Sequence, residues 1–175
     1  MSHESTLPLQ AAPAASSPAP VRRIPLWVKL AYTGFLLLAV VGFASTAVFQ
    51  LFHVGPTPAL IATYFRGGER GDVMVFAKTA RELMEATHFH AFTMGLVYLV
   101  LAHLLLATSA SERVKRAAIV LGFVGFAGDI AGGWLVRYGG AAFAFLLLAC
   151  WMGQWAAFGA YVYFSLREMW FRRTG

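Results

Sequence analysis

Four histidines sit in or beside the apolar stretches of this chain: His53, His88, His90 and His103. Neutral imidazoles from two helices can ligate a haem iron, and imidazoles joined by a carboxylate can hold zinc or copper. A b-type haem needs its two histidines at one depth with a cleft between them. His53 ends one apolar run and His88 begins the next, so the two come to the same face, with His90 as the alternative partner. Arg137 follows the third run and reaches that face too, where a guanidinium could pair with a haem propionate. The metal reading takes His53, His88, His90 and Glu85. It requires an extended chain, or a helix that starts at His90, because H-x-H on a regular helix points two ways. The third reading is structural, with interfacial imidazoles bonding water and lipid headgroups. All three stay open on these residues.

Three further polar groups lie deeper: His103, Asp129 and Gln154. At ~1.5 Å per residue, Asp129 lies about 12 Å below Arg137 and His103 roughly 22 Å below His88. Gln154 reaches a depth similar to that of His103. Polar side chains avoid lipid, so each is expected to turn inward, with His103 meeting Gln154. That rule orients the second run, placing His88, Phe92, Gly95, Leu99 and His103 on the bundle-facing stripe. Asp129 is expected to pair with Arg137, or with Ser45 and Thr46. Gly122, Gly125, Asp129 and Gly132 share a stripe on the third run. There the glycines allow close helix approach, or leave room for a flat cofactor. A second deep histidine to match His103 is absent, which disfavours the paired-haem layout of two histidines on each of two helices.

The elements that must carry these residues follow from composition. Of 175 residues, 59% are hydrophobic and 13% charged, against about 25% charged in a soluble domain. Four runs reach the ~20 residues that cross a bilayer. They predict an all-α, four-helix transmembrane bundle with spans over 26–51, 88–108, 117–136 and 141–166. Residues 1–24, rich in Ala, Ser and Pro, read as a flexible cytoplasmic tail, and 25–175 as the membrane domain. A cleaved signal peptide is the rival reading of the first run, whose apolar part exceeds the usual ~7–15 residues of such signals. Nine of the fourteen basic residues lie on one side: Arg22, Arg23, Lys29, Arg113, Lys115, Arg116, Arg167, Arg172 and Arg173. Basic residues collect in the cytoplasm, so both termini are expected there, in a bacterial inner membrane.

The loop 52–87 is then external. Thr57 before Pro58 predicts a short helix, "RGGERGD" an irregular turn, and "AKTARELMEATH" a second helix running straight into span two.

"ELMEATHFHAFTMGLVYLVLAHLLLATS" resembles segments of small uncharacterised bacterial inner-membrane proteins with four spans. The resemblance covers the second span and its lead-in, and implies a fold but no activity, cofactor or site.

Some classes fall away. The single cysteine, Cys150, forms no intramolecular disulfide, and C-x-x-C-H haem attachment is absent. No hydrolase, zinc-protease, phosphate-loop or dinucleotide motif occurs, which speaks against an enzyme. No basic patch or motif suggests nucleic acid. Two functions of different class remain. One is a b-type haem redox subunit exchanging electrons with a quinol or an external cytochrome. The other is a non-catalytic structural or assembly subunit beside other membrane subunits, with the lipid bilayer as its surroundings.

Overall fold

The computed structural model describes residues 24–171. The tail 1–23 and residues 172–175 lie outside them, as do Arg22, Arg23, Arg172 and Arg173 of the charge pattern. Four helices are long and apolar enough to cross a membrane, Leu26–Val54, Ala80–Leu106, Glu112–Gly139 and Phe143–Phe171; each runs past its expected limit at one end or both, while the second stops short of 108 and the fourth starts after 141. They comprise α1 (Leu26–Phe49), α3 (Ala80–Leu106), α4 (Glu112–Trp134) and α5 (Phe143–Leu166). Three of them finish in a π-helical turn, Gln50–Val54 after α1, Leu135–Gly139 after α4 and Arg167–Phe171 after α5.

Between α1 and α3 lies a small cap. It contains α2 (Pro58–Arg66) and two antiparallel strands, β1 (Gly68–Arg70) and β2 (Val73–Val75). Thr57 caps α2, its side chain accepting from Leu60 N–H at 3.3 Å with Pro58 in the first helical position. The expected irregular turn is instead a hairpin. Gly71, at φ +61°, stands first of two loop residues between the paired Arg70 and Val73, where a tight hairpin turn needs positive φ. The lead-in helix is fused to span two as expected. It starts at a reciprocal cap, in which Thr79 accepts from Glu82 N–H at 3.2 Å and Glu82 accepts from Thr79 N–H at 2.8 Å.

The inner face of α3 is Tyr98, Leu101, Ala102 and Leu105, spaced i, i+3, i+4, i+7. It meets α4 and α5 through a buried hydrogen-bonded chain. Tyr98 donates to Gln154 Oε1 at 3.1 Å, and Gln154 donates to Gly125 O at 3.2 Å. Tyr161 donates to Ala118 O at 3.0 Å. The glycine stripe of α4 is filled by α5. A Cβ on Gly125 would meet Cys150 O at 3.0 Å, and one on Gly132 would meet Leu147 Cδ1 at 2.7 Å. The stripe therefore serves helix packing and leaves no slot for a flat group.

This face corrects the expected orientation of span two. His88, Phe92, Leu99 and His103 are exposed on the outside of the bundle. His103 lies one turn from the end of α3 and bonds Leu99 O of its own helix at 3.0 Å. It does not meet Gln154, which bonds Tyr98 and Gly125 O.

α1 is held more thinly, with Leu36 and Phe43 its buried residues. Phe43 anchors it, stacked on Phe158 at 3.8 Å between ring centroids and edge-on to Trp155 at 5.6 Å.

Candidate functional site

Every helix end leaves backbone carbonyls without helical partners. Here cationic side chains from elsewhere in the fold take up those of the three π-helical turns. Arg66 donates to Val136 O and Arg137 O, each at 3.2 Å. Arg70 donates to His53 O at 2.7 Å and Phe52 O at 3.4 Å. At the opposite end of the bundle, Lys29 donates to Met169 O at 3.0 Å. Arg66 and Arg70 thus latch the cap onto the ends of α1 and α4. Arg137 adds a third latch, donating to Lys78 O at 2.7 Å with its guanidinium over Tyr138.

Beneath the latched cap is a cavity of about 240 Å³. Five aromatic side chains stand in its walls, Phe49 from α1, Tyr64 and Phe65 from α2, Trp134 from α4 and Trp151 from α5. Two of the indoles are fixed by their N–H groups. Trp134 donates to Thr87 Oγ1 at 2.9 Å, and Trp151 donates to Asp129 Oδ1 at 2.6 Å. Asp129 is the inner carboxylate of the cavity. Its partner is therefore Trp151, and neither Arg137 nor Ser45 and Thr46, whose hydroxyls bond Gly42 O within α1.

At the mouth, Lys78 lies 3.1 Å from Glu82 Oε1 and 4.8 Å from the Tyr64 ring centroid. Burial opposes the charge on Lys78, but the hydrogen bond to Glu82 and the attraction of Tyr64 and Glu82 outweigh it and raise its pKa above the ordinary lysine value. His90 joins the polar lining, with Thr46, Gln50 and Thr87. Its Nδ1 is 2.8 Å from Ala86 O. A carbonyl only accepts, so Nδ1 carries the proton in the neutral ring and Nε2 is left as an acceptor.

The histidines are divided by this arrangement. His90 lines the cavity, while His53 and His88 do not. His53 is exposed on the last turn of the first span, its ring edge-on to Phe49 at 5.1 Å. His88 is exposed against Phe92 at 5.3 Å. Glu85 pairs with Arg81 at 2.8 Å. Among the described residues no three His, Cys, Asp or Glu side chains gather where they could hold a metal ion. The cluster of His53, His88, His90 and Glu85 is therefore not assembled.

Sequence reasoning missed the contribution of Trp151, Trp134, Lys78 and Glu82. The available signal was the tryptophans themselves, whose single N–H donors need acceptors when buried.

No curated protein and no solved structure matches the chain. A family described as a transmembrane helical domain matches residues 55–175, which takes in the cap, α3, α4 and α5 and begins just after the first span. With four apolar helices around a hydrogen-bonded core and more than half its length matched, the chain is an integral membrane protein and belongs to this family of transmembrane helical domains, Aq_1264_TM.

Proposed function

We propose that this chain is a non-catalytic binding subunit of a bacterial inner membrane, taking a small ligand into the capped cavity from the external side. The observation that carries the reading is Asp129, a carboxylate set inside an apolar bundle at the inner end of a cavity with aromatic side chains in its walls. Ionisable groups inside membrane spans are costly, and they mark sites more often than packing. The volume, about 240 Å³, falls below the ~300–1,000 Å³ of drug-sized pockets, so the ligand is small. The external placement rests on the basic-residue bias, which puts the capped end outside and both termini in the cytoplasm.

The haem reading drawn from the sequence is less well supported. Its donor set does not fit the cavity, because His90 lines it and both His53 and His88 lie outside it.

Cysteine labelling in sealed cells tests the reading. Cys150→Ala provides a chain without cysteine. In that background Thr87→Cys and Ile130→Cys, both on the cavity wall, should react with a membrane-impermeant thiosulfonate added outside. Leu99→Cys, on the outer face of α3, should not. Labelling of the cavity positions only after permeabilisation, or not at all, would overturn the proposal.

A further inference from the structure

We propose that the ligand of this cavity is a small organic cation, an ammonium on an aromatic or apolar body, with its charge set against Asp129. The inference rests on the cavity being a binding site and adds the chemical class of what enters it.

The chain itself supplies the pattern at the cavity mouth. There the Lys78 ammonium is held between the Glu82 carboxylate at 3.1 Å and the face of Tyr64 at 4.8 Å. Carboxylate on one side and aromatic face on the other is how a desolvated cation is recognised. Glu82 is fully used, because Oε1 accepts from Lys78 and Oε2 from the Thr79 N–H and hydroxyl.

Deeper in the cavity stands a second carboxylate, Asp129. Asp129 stands beside the indole of Trp151, which donates one hydrogen bond to Oδ1. Among the described residues the side-chain ion pairs are Lys78 with Glu82, Arg81 with Glu85 and Lys115 with Glu112, and none involves Asp129. His90, which also lines the cavity and interacts electrostatically with Asp129, offers Nε2 as an acceptor when its ring is neutral, its Nδ1 proton being committed to Ala86 O. A carboxylate and an imidazole lone pair together ask for a donor-rich, positively charged group, and an ammonium brings three N–H donors. An anion would meet Asp129, and the one lysine at the mouth is already neutralised by Glu82.

The test is a tryptophan-emission titration of the purified full chain in nanodiscs, since Trp134 and Trp151 both line the cavity. Three probes of matched shape are compared: phenethylamine, phenethyl alcohol and 3-phenylpropionate. The amine should bind about tenfold or more tighter than the alcohol, and the propionate least. Asp129→Asn keeps a carbonyl oxygen for Trp151 while removing the charge, and should bring the amine down to the level of the alcohol. If that variant does not fold, the comparison of the three probes on the wild-type chain decides alone. Equal binding of amine and alcohol, tightest binding of propionate, no binding of any probe, or amine binding unchanged in a folded Asp129→Asn would each overturn the cation assignment. The reading of the cavity as an external site is judged separately by the labelling at Thr87 and Ile130. It survives these outcomes if those positions label from outside, and falls with the assignment if they do not.

Discussion

Replacing Gly125 by alanine tests the centre of the bundle. The added Cβ would lie 2.8 Å from Gln154 Cγ and 3.0 Å from Cys150 O. The carbonyl belongs to the backbone of α5 and cannot rotate aside, so the helices must separate or Gln154 must leave its place. Overpacking of this kind costs ~1–3 kcal/mol. Displacing Gln154 also breaks its bonds to Tyr98 and Gly125, at ~0.6 kcal/mol each for interhelical bonds in a membrane. Against this, alanine is favoured over glycine within a helix by roughly 0.5–1 kcal/mol. The net expectation is a destabilisation of about 1–4 kcal/mol. The control is Gly159→Ala, whose Cβ meets nothing within 4 Å and which should gain the helix term alone. Reversible unfolding in mixed micelles of increasing SDS content, followed by tryptophan emission, measures both. A Gly125→Ala chain as stable as wild type, alongside the expected gain in Gly159→Ala, would refute the packing argument.

Other outcomes follow from the same geometry. Reporters fused at Gly175 and inserted within residues 67–71 should lie on opposite sides of the membrane; same-side signals would remove the proposed topology. His103→Leu, at an exposed position, should change stability by less than ~0.5 kcal/mol, whereas Tyr98→Leu, fully buried and bonded to Gln154, should cost about 2–4 kcal/mol; comparable losses would contradict the orientation of α3. Dithionite-reduced purified chain should show no b-type bands, and bands that vanish in His53→Ala would establish the haem in place of the binding subunit.

Apolar run length made the four spans legible, the Thr57–Pro58 pair located the start of α2, and the helix-forming stretch "AKTARELMEATH" indicated the lead-in of α3. The span ends were not all legible, because π-helical turns carry three of the four helices past their apolar runs, into sequences such as "LVRYG". The hairpin was hidden for a related reason: strands of three residues are too short to show alternation. The orientation of span two was not legible, because His103 stands out as a polar group in an apolar run and suggests an inward face, yet it is exposed. Tyr98 is the polar residue that faces inward. The partner of Asp129 lay on another helix, 22 residues away at Trp151, and nothing local in the sequence points to it. The close packing at the glycine stripe could be anticipated, because backbone approach needs small residues whatever lies opposite.

The arginine latches divide the capped end into positions that read sequence and positions that do not. Arg66 and Arg70 donate to main-chain oxygens of Phe52, His53, Val136 and Arg137, and any residue at those four positions offers the same oxygen. Substitution there leaves the latch intact so long as the helix end keeps its path, while the donor side has no such freedom. A lysine in place of Arg70 has no planar fork to give separate nitrogens to two successive carbonyls, as Arg70 gives Nη1 to His53 O and Nη2 to Phe52 O. Mutational tolerance at this end should therefore be lopsided, with the cap fixed at two arginines and the span ends free to take up other tasks with their side chains.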